Sequence, residues 1–539
     1  MSPKTRRIVW LILLLVLASV ILLAGYLAYA LHIGRRVAVT ISKETTYITE
    51  PLRADGYPDY MAALNQRASK GVTPENNAAV LFWKAMGPTE IGAKERDKYF
   101  KMLGMPSLRE EGDYFVTLDK YLDRQKDTEN SKGPMTQEEH NRIWDQLRLG
   151  MKRPWSKQEF PVLAGWVEAN EKPLTLLAEA SRRPRRYDPL LSDKDDMVLA
   201  VWLPAVQQYR DVARALIARA MLWASEGMVD ESWEDLLACR RLARLVGQGA
   251  TLIDALVAIT IDKMAGQGDQ GLLSCVNLTA SQIAKMRNDL DQLPPMPKMV
   301  DKLDLSERFT YLDAVSYAAR HGVSSLAAVL GGAINGPLKV LLDAIGNTAD
   351  WNVALRMGNY WYDRLVDAGG KTRRTERKAA LDEIDKDMGE VVKDVFDWKS
   401  LAVSVLGVGR QTISERIGRI LVTLFLPALS TAVNAEDRAT MQAELNKLTF
   451  ALAGYHADNG SYPAKLADLA PKYVADIPKD IFSDSDLHYK QEGGGYLLYS
   501  VGANGKDDGG RGIEDRYKGE DSSEDWDDLV VRVPAAPPR

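Results

Sequence analysis

The sequence predicts a mainly α-helical protein with an N-terminal transmembrane helix, a large α-helical domain and a small C-terminal α+β module. Residues 8–32 carry no formal charge when His32 is neutral, and such a stretch is long enough to span a bilayer. Apolar residues recur at helical spacing through the middle of the chain, where strand signals are scarce. Short strand-like runs follow a helix only near the C-terminus, which predicts a sheet there.

The 539-residue chain is long enough for several domains. We divide it into a membrane anchor (1–36), an α-helical domain with linkers (37–430), an α+β module (431–534) and a tail (535–539). The formal net charge is only −5, and no basic patch accompanies it, so nucleic-acid binding is not predicted. Two cysteines, Cys239 and Cys275, exclude a disulfide framework. Buried free thiols are favoured for both, and a single disulfide between them stays open.

The apolar stretch at residues 8–32 is bracketed by Arg6-Arg7 and Arg35-Arg36. A cleaved signal peptide is the alternative, because Ala28-Tyr29-Ala30 has the form of a cleavage site. The apolar part of a signal peptide is shorter than this stretch, so we favour an uncleaved, single-pass anchor. Basic residues in the very short N-terminal tail predict that this tail stays in the cytoplasm, with the bulk of the chain across the membrane.

The middle of the chain is predicted to be helical. An apolar stripe runs from Val212 to Ala224, a second helix is expected at Glu231–Val246 with Asp230 as its N-cap, and a third at Leu252–Met264. This arrangement resembles a tetratricopeptide unit, but no second copy follows, so an irregular α-helical domain is favoured and a repeat array stays open. Val323–Ile345 is expected to be a core helix or a hairpin on the bilayer surface, and residues 363–394 a solvated helix or linker.

No catalytic or phosphate-binding motif is present in this region. The sequence lacks His-Glu-x-x-His, a Gly-rich loop followed by Lys-Ser/Thr, and Gly-x-Ser-x-Gly, and its histidines are scattered. A non-enzymatic protein is therefore predicted, with an unrecognised catalytic site in the helical domain as an alternative.

The C-terminal module is predicted from a helix at Met441–Ala457, whose apolar stripe is Leu445, Leu448, Leu452 and Tyr455. Asn459-Gly460 ends this helix, and Pro463 is expected to open a short one. Strands are expected at Leu487–Lys490, Tyr496–Val501 and Leu529–Val533, with a Gly-rich turn at Glu492–Gly495.

An acidic loop lies between the last two predicted strands. Residues 504–528 carry ten Asp and Glu against four Lys and Arg, and carboxylates crowded in this way repel one another unless they are neutralised. Calcium binds six to eight oxygen ligands and tolerates irregular loops. A calcium site is one interpretation and a mobile acidic loop is the other, and composition alone does not separate them.

Four blocks of this region resemble the major pseudopilins of type II secretion: Tyr455-His456-Ala457-Asp458-Asn459-Gly460-Ser461-Tyr462-Pro463, Tyr473-Val474-Ala475-Asp476-Ile477-Pro478-Lys479-Asp480, Tyr496-Leu497-Leu498-Tyr499-Ser500-Val501-Gly502-Ala503-Asn504-Gly505, and Asp527-Asp528-Leu529. The resemblance implies a calcium ion bound in the loop. Asn504, Asp527 and Asp528 fall on ligand positions of the family motif, and Val501 falls where a backbone carbonyl ligand is expected. Asp507 and Asp508 are added from their charge.

The N-terminus departs from this family, because residues 1–30 contain neither Gly-Phe nor an acidic residue within the apolar stretch. We therefore expect a borrowed C-terminal module rather than a pilus subunit. The function predicted is that of a structural or interaction protein in the bacterial inner membrane. It would present a calcium-stabilised module to protein partners in type II secretion or envelope assembly. A helical-repeat adaptor that binds partners through its middle region is the alternative.

Overall fold

The structure, a computed structural model, describes residues 37–126, 135–192, 197–332, 346–396, 410–426, 429–516 and 525–534, together with residues 17, 18, 25, 335, 336, 339 and 343. The anchor predicted at residues 8–32 thus lies outside the described residues, apart from residues 17, 18 and 25. The tail at 535–539 also lies outside them. Among the residues that are described, no helix combines the length and the apolar character that crossing a bilayer requires.

The described chain is mainly helical, as predicted, and no strand element precedes His488 in it. The N-terminal part consists of short helices: α1 (Tyr60–Ser69), α2 (Ala78–Met86), α3 (Arg96–Met102), α4 (Leu118–Lys126), α5 (Gln137–Gly150), α6 (Pro161–Ala169), α7 (Glu171–Ser181) and a 3-10 turn at Val198–Ala200. Helices α2 to α7 pack around three longer helices: α8 (Pro204–Ser225), α9 (Val229–Gly247) and α10 (Leu252–Cys275).

Helices α8, α9 and α10 form the first hydrophobic core. Gly268 of α10 allows this packing, since a Cβ there would lie 2.6 Å from the Leu236 side chain of α9 and 3.1 Å from Ile217 of α8. The prediction that Asp230 caps the second helix is wrong, because α9 already begins at Val229. The Asp230 carboxylate instead binds Lys285 at 3.0 Å. Both cysteines are free, with Cys239 buried as expected and Cys275 exposed.

A second core follows. Helix α11 (Ala280–Asp291) still places Met286 in the first core, and the short helix α12 (Met299–Lys302) follows it. The second core is built from α1, the 3-10 turn at Val198–Ala200, a π-helical turn (Leu303–Glu307), α13 (Arg308–His321), α14 (Val323–Val329), α15 (Trp351–Gly370), α16 (Arg374–Phe396) and α17 (Arg410–Phe425). The segment 363–394, expected to be a solvated helix or linker, is helical almost throughout, and α16 buries Leu381, Ile384 and Met388 on one face. Within 323–345, α14 stops at Val329, and much of the remainder lies outside the described residues.

The C-terminal part contains α18 (Leu429–Asn459), a 3-10 turn (Leu466–Leu469), β1 (His488–Glu492), β2 (Gly495–Ser500), a short helix α19 (Ile513–Arg516) and β3 (Leu529–Val533). The antiparallel sheet has the order β1-β2-β3, which confirms the three predicted strands. Helix α18 is longer than predicted but ends as expected, at Gly460 with φ +73°. The expectation that Pro463 opens a helix is wrong, because its carbonyl accepts the Tyr489 hydroxyl at 2.8 Å and the 3-10 turn begins only at Leu466.

The sheet packs on α18 and forms a third core. Leu445, Leu448 and Leu452 of the predicted stripe are buried, as are Leu498 and Val531 of the sheet. Tyr455, the last residue of the stripe, is only partly buried.

Helix α18 also packs against the helical domain. The Phe450 and Trp233 rings meet edge to face with centroids 5.7 Å apart, and the Glu436 carboxylate accepts the Met299 amide at 3.0 Å. Asp437 forms an ion pair with Arg377 of α16. The boundary drawn at residue 430 therefore falls at the start of a helix that contributes residues to all three cores.

Candidate functional site

The acidic loop leaves the sheet at Val501, directly after β2, and returns at Asp528, directly before β3. Residues 501–516 and 525–528 of this loop are described, whereas Glu520, Asp521 and Glu524 lie outside the described residues. Gly502 has φ +68°, and a Cβ at this position would lie 2.1 Å from the carbonyl oxygen of Asp527. The two ends of the loop can lie this close together because residue 502 has no side chain.

Asp527 holds the two ends of the loop together. Its Oδ2 accepts the amides of Ala503 at 2.7 Å and Asn504 at 3.1 Å. Its Oδ1 accepts a hydrogen bond from the guanidinium of Arg438 on α18. Both carboxylate oxygens of Asp527 thus have protein donors.

Asp508 and Asp528 lie in the same network. Asp508 Oδ2 accepts the Asp527 amide at 2.8 Å and Nδ2 of Asn504 at 3.2 Å. Asp528 Oδ2 accepts the Gly510 amide at 2.8 Å, and its Oδ1 accepts the Asp508 amide at 3.4 Å. Burial raises the pKa of Asp528, and the neighbouring carboxylates of Asp508 and Asp507 add to this rise.

Asp507 is directed toward the sheet. Its Oδ1 accepts the Tyr499 hydroxyl at 3.0 Å and the Gly509 amide at 2.9 Å, and its Oδ2 lies 3.8 Å from Nδ1 of His488. The hydrogen bond from the Gly509 amide lowers the pKa of Asp507. His488 is stacked on Tyr499 with ring centroids 4.6 Å apart. Asp507 therefore fixes the loop to the sheet.

The loop also covers the outer face of β2, all of whose residues are buried. A Cβ on Gly510 would lie 2.9 Å from the Leu497 side chain, so the loop backbone contacts this leucine directly. Leu497 and Tyr499 point away from α18 and are buried, with only 7% and 9% of their surface exposed. An ordered loop consequently removes apolar surface of the sheet from water.

Two residues that the sequence did not mark as functional stabilise the loop. Asp480 is fully buried, and its carboxylate accepts the Phe482 amide, the Ser500 hydroxyl and the Val501 amide, each at 2.9 Å. Arg438 is the partner of Asp527 on α18. Asp480 ended one of the pseudopilin-like blocks without a role, and nothing in the local sequence distinguishes Arg438 from other charged residues of its helix.

The acidic loop contains the groups that a calcium ion needs. Carboxylates, an Asn side chain and backbone carbonyls are suitable ligands by their chemistry. Among the described residues, however, no group of three or more His, Cys, Asp or Glu side chains is arranged to hold a metal ion. The reason in this loop is that the carboxylates are directed at backbone amides and at Arg438. A cation would share the oxygens of Asp527 and Asp528 with these protein donors.

A second polar cluster lies in the helical domain around Arg186. Its guanidinium lies 2.7 Å from the Asp188 carboxylate and 3.0 Å from that of Asp254. Trp83 and Tyr99 donate to Asp188 at 2.9 and 3.0 Å. The adjoining cavity has a volume of about 20 Å³, enough for about one water molecule. Because these charges are paired with one another and the cavity is small, we assign the cluster a role in holding the helical domain together and not in binding a ligand.

No protein-family model, curated protein or solved structure matches this chain.

Proposed function

We propose that this chain is a membrane-anchored, extracytoplasmic interaction protein whose C-terminal module is pseudopilin-like and stabilised by calcium. Residues 8–32 would be the anchor in a bacterial inner membrane, and the module would contact protein partners of type II secretion or envelope assembly. The observation that carries this proposal is the arrangement around α18, where a long helix packs on a three-stranded antiparallel sheet and an acidic loop joins the last two strands. The resemblance in sequence implies the same arrangement.

Four of the predicted ligands are connected by hydrogen bonds and would hold the ion: Asn504, Asp508, Asp527 and Asp528. A divalent cation would supply positive charge where burial and neighbouring carboxylates raise the pKa of Asp528. Val501 would contribute its carbonyl oxygen, as the resemblance implies. Asp507 would remain with Tyr499 and stabilise the loop without contacting the ion.

Calcium would act through the outer face of the sheet. The loop covers Leu497 and Tyr499, so an ion that orders the loop also keeps these side chains out of water. The module is not separated from the helical domain by a linker, because α18 packs on both. Partners would therefore meet a rigid surface made of the module and the domain together.

The test is the melting temperature of the full chain in detergent, measured with a chelator, with calcium and with magnesium. We expect calcium to raise the melting temperature and magnesium to raise it less, because magnesium requires a regular octahedral site. The double variant Asp508→Asn, Asp528→Asn should lose the calcium effect. Asp476→Asn, at an exposed position of the same module, should retain it. Equal shifts with both ions, or no shift, would refute the calcium site.

The helical-repeat adaptor is a second candidate, and one observation favours it. Ile420 and Leu424 lie one turn apart on α17 and are exposed by 39% and 60%. Helices α8, α9 and α10 would be the tetratricopeptide-like unit of such an adaptor. The variant Ile420→Asp, Leu424→Asp should lose partners captured by the wild-type chain if the adaptor function is correct. If the module carries the function, the Asp508→Asn, Asp528→Asn variant should lose them instead.

A further inference from the structure

The chain that follows the predicted anchor is fixed to helix α15. Asn352 accepts the Thr40 amide through Oδ1 at 2.8 Å and donates through Nδ2 to the Ala38 carbonyl at 3.1 Å. Seven residues later on the same helix, Asn359 donates to the carbonyls of Thr45 at 2.8 Å and Glu44 at 3.1 Å. These bonds determine where the chain leaves the helical domain. If residues 8–32 span a bilayer, the N-terminal end of α15 lies next to its surface.

A pocket with a volume of about 460 Å³ opens at this position. Val37 and Ala38 form part of its wall, so the pocket lies at the first described residues after the anchor. Its volume falls within the range of small-molecule sites, about 300–1,000 Å³. The wall also includes Trp351, at the start of α15, and Tyr57. Aromatic side chains of this kind are frequent at the level of lipid headgroups.

The charged groups of this pocket have both signs. Nε of Arg320 lies 2.7 Å from Oδ2 of Asp55, and the guanidinium lies over the Tyr57 ring, 5.6 Å from its centroid. His321 follows Arg320 at the end of α13, is exposed and contacts the Tyr317 ring with centroids 4.5 Å apart. Arg320 and His321 can thus donate N–H groups to a phosphate, and the neighbouring Asp55 carboxylate can accept hydrogen bonds from a cation.

We propose that this pocket binds the phosphoethanolamine headgroup of a bilayer phospholipid. The phosphate would accept hydrogen bonds from Arg320 and His321, and the primary ammonium group would donate to Asp55. When Arg320 also binds the phosphate, Asp55 shares that cation, and the ammonium group would supply a second one. An anionic headgroup without an amine supplies no second cation, and a choline headgroup has no N–H to donate to the carboxylate. This inference depends on the membrane attachment that the proposed function includes.

The test uses the full chain in lipid nanodiscs that contain phosphatidylethanolamine, phosphatidylglycerol or phosphatidylcholine, and it measures lipids retained after extraction into detergent by native mass spectrometry. We expect phosphatidylethanolamine to be retained in preference to the other two by the wild-type chain. Arg320→Gln should reduce this retention by about tenfold, as expected for one charge-assisted hydrogen bond. Arg356→Gln, an exposed arginine of α15, is the matched control and should retain the lipid as the wild type does.

Asp55→Asn provides a result that unfolding would not produce. Without the carboxylate, the pocket keeps its cation, so the preference should change from phosphatidylethanolamine to phosphatidylglycerol. Loss of all lipid retention by this variant, or an unchanged preference, would overturn the proposal. If free phosphoethanolamine stabilises the detergent-solubilised chain as much as phosphatidylethanolamine does, the assignment to a lipid is overturned, because this result would indicate a soluble ligand.

Failure of the pocket and failure of the anchor give different results. If alkaline carbonate removes the wild-type chain from membranes, the proposed anchor is wrong and the pocket proposal fails with it. If the chain stays in the membrane fraction but shows no preference among the three lipids, only the pocket proposal is wrong.

Discussion

Arg438 and Asp527 form an ion pair that joins the end of the acidic loop to helix α18, 89 positions earlier in the chain. The same carboxylate accepts the amides of Ala503 and Asn504. One side chain therefore connects the beginning of the loop, its end and the helix on which the sheet packs. The described ends of the loop are therefore held by protein groups at Asp527.

We predict that Asp527→Ala lowers the free energy of unfolding of the full chain by about 2–4 kcal/mol, because two partly buried amides and a guanidinium lose their acceptor. Arg438→Gln should lower it by only about 1 kcal/mol, since the two amides keep theirs. Urea unfolding in detergent measures both. Asp476→Ala, at an exposed position, should change it by less than about 0.5 kcal/mol. An Asp527→Ala variant no less stable than this control would contradict the structure.

Asp480 should contribute as much to the free energy of unfolding as Asp527 does. It is fully buried, and Asp480→Ala leaves the Val501 amide and the Ser500 hydroxyl without their acceptor. We expect a loss of about 2–4 kcal/mol. Asp480→Asn keeps one acceptor oxygen and should lose less. The same unfolding experiment tests this order, and a larger loss for Asn than for Ala would show that the hydrogen bonds are not the cause.

The contact between Phe450 and Trp233 should link the stability of the two regions. Phe450→Ala is expected to cost about 3–5 kcal/mol, because Phe450 is buried in the core of the helical domain. In a double-mutant cycle with Trp233→Ala, the two losses should fail to add by about 0.5–1.5 kcal/mol. Leu424→Ala removes a side chain that is 60% exposed and serves as the control. Fully additive losses would mean that the rings do not interact.

Glu307 should make stability depend on pH. It ends the π-helical turn, and burial raises its pKa to about 7 from an ordinary value of 4.5. A carboxyl with a raised pKa in the folded state contributes its stability fully below about pH 4.5 and loses that contribution as the pH rises to about 7. Glu307→Gln stays neutral, so it should flatten this decrease by roughly 1–3 kcal/mol.

Thermal or urea unfolding between pH 4.5 and pH 7 measures this effect. Asp313, whose burial raises its pKa to about 6, contributes a decrease of the same sign. The informative quantity is therefore the difference between Glu307→Gln and the wild type at each pH. Glu376→Gln changes an exposed residue of α16 and should leave the wild-type pH dependence intact. A Glu307→Gln variant with an unaltered pH dependence would be evidence against a raised pKa of Glu307.

The elements that the sequence predicted well are those whose signal is local. The three strands lie close to their predicted positions because alternation and a Gly-Gly turn determine both the register and the reversal between β1 and β2. The end of α18 at Asn459-Gly460 follows from the freedom of glycine at positive φ. The predicted N-cap at Asp230 failed because α9 starts at Val229, two residues before the predicted start at Glu231, and helix ends are poorly determined by a single capping residue.

Features that depend on distant residues were not predictable from the sequence. Arg438 and Asp527, or Phe450 and Trp233, are far apart in the chain, and no local pattern pairs them. The same applies to Asp480, whose partners are Ser500 at the end of β2 and Val501 directly after it. For the candidate site, sequence selected the acidic residues but could not show that backbone amides and an arginine already occupy their oxygens.

Helix α18 has a consequence for how the protein is made. One face of α18 packs on helices that are synthesised much earlier. The opposite face packs on the sheet, whose strand β3 ends only at Val533. Domains usually acquire their structure in order of synthesis. A nascent chain halted before β3 lacks part of the sheet that covers α18. Because the apolar face of α18 then stays partly exposed, such a chain should still be a substrate for chaperones.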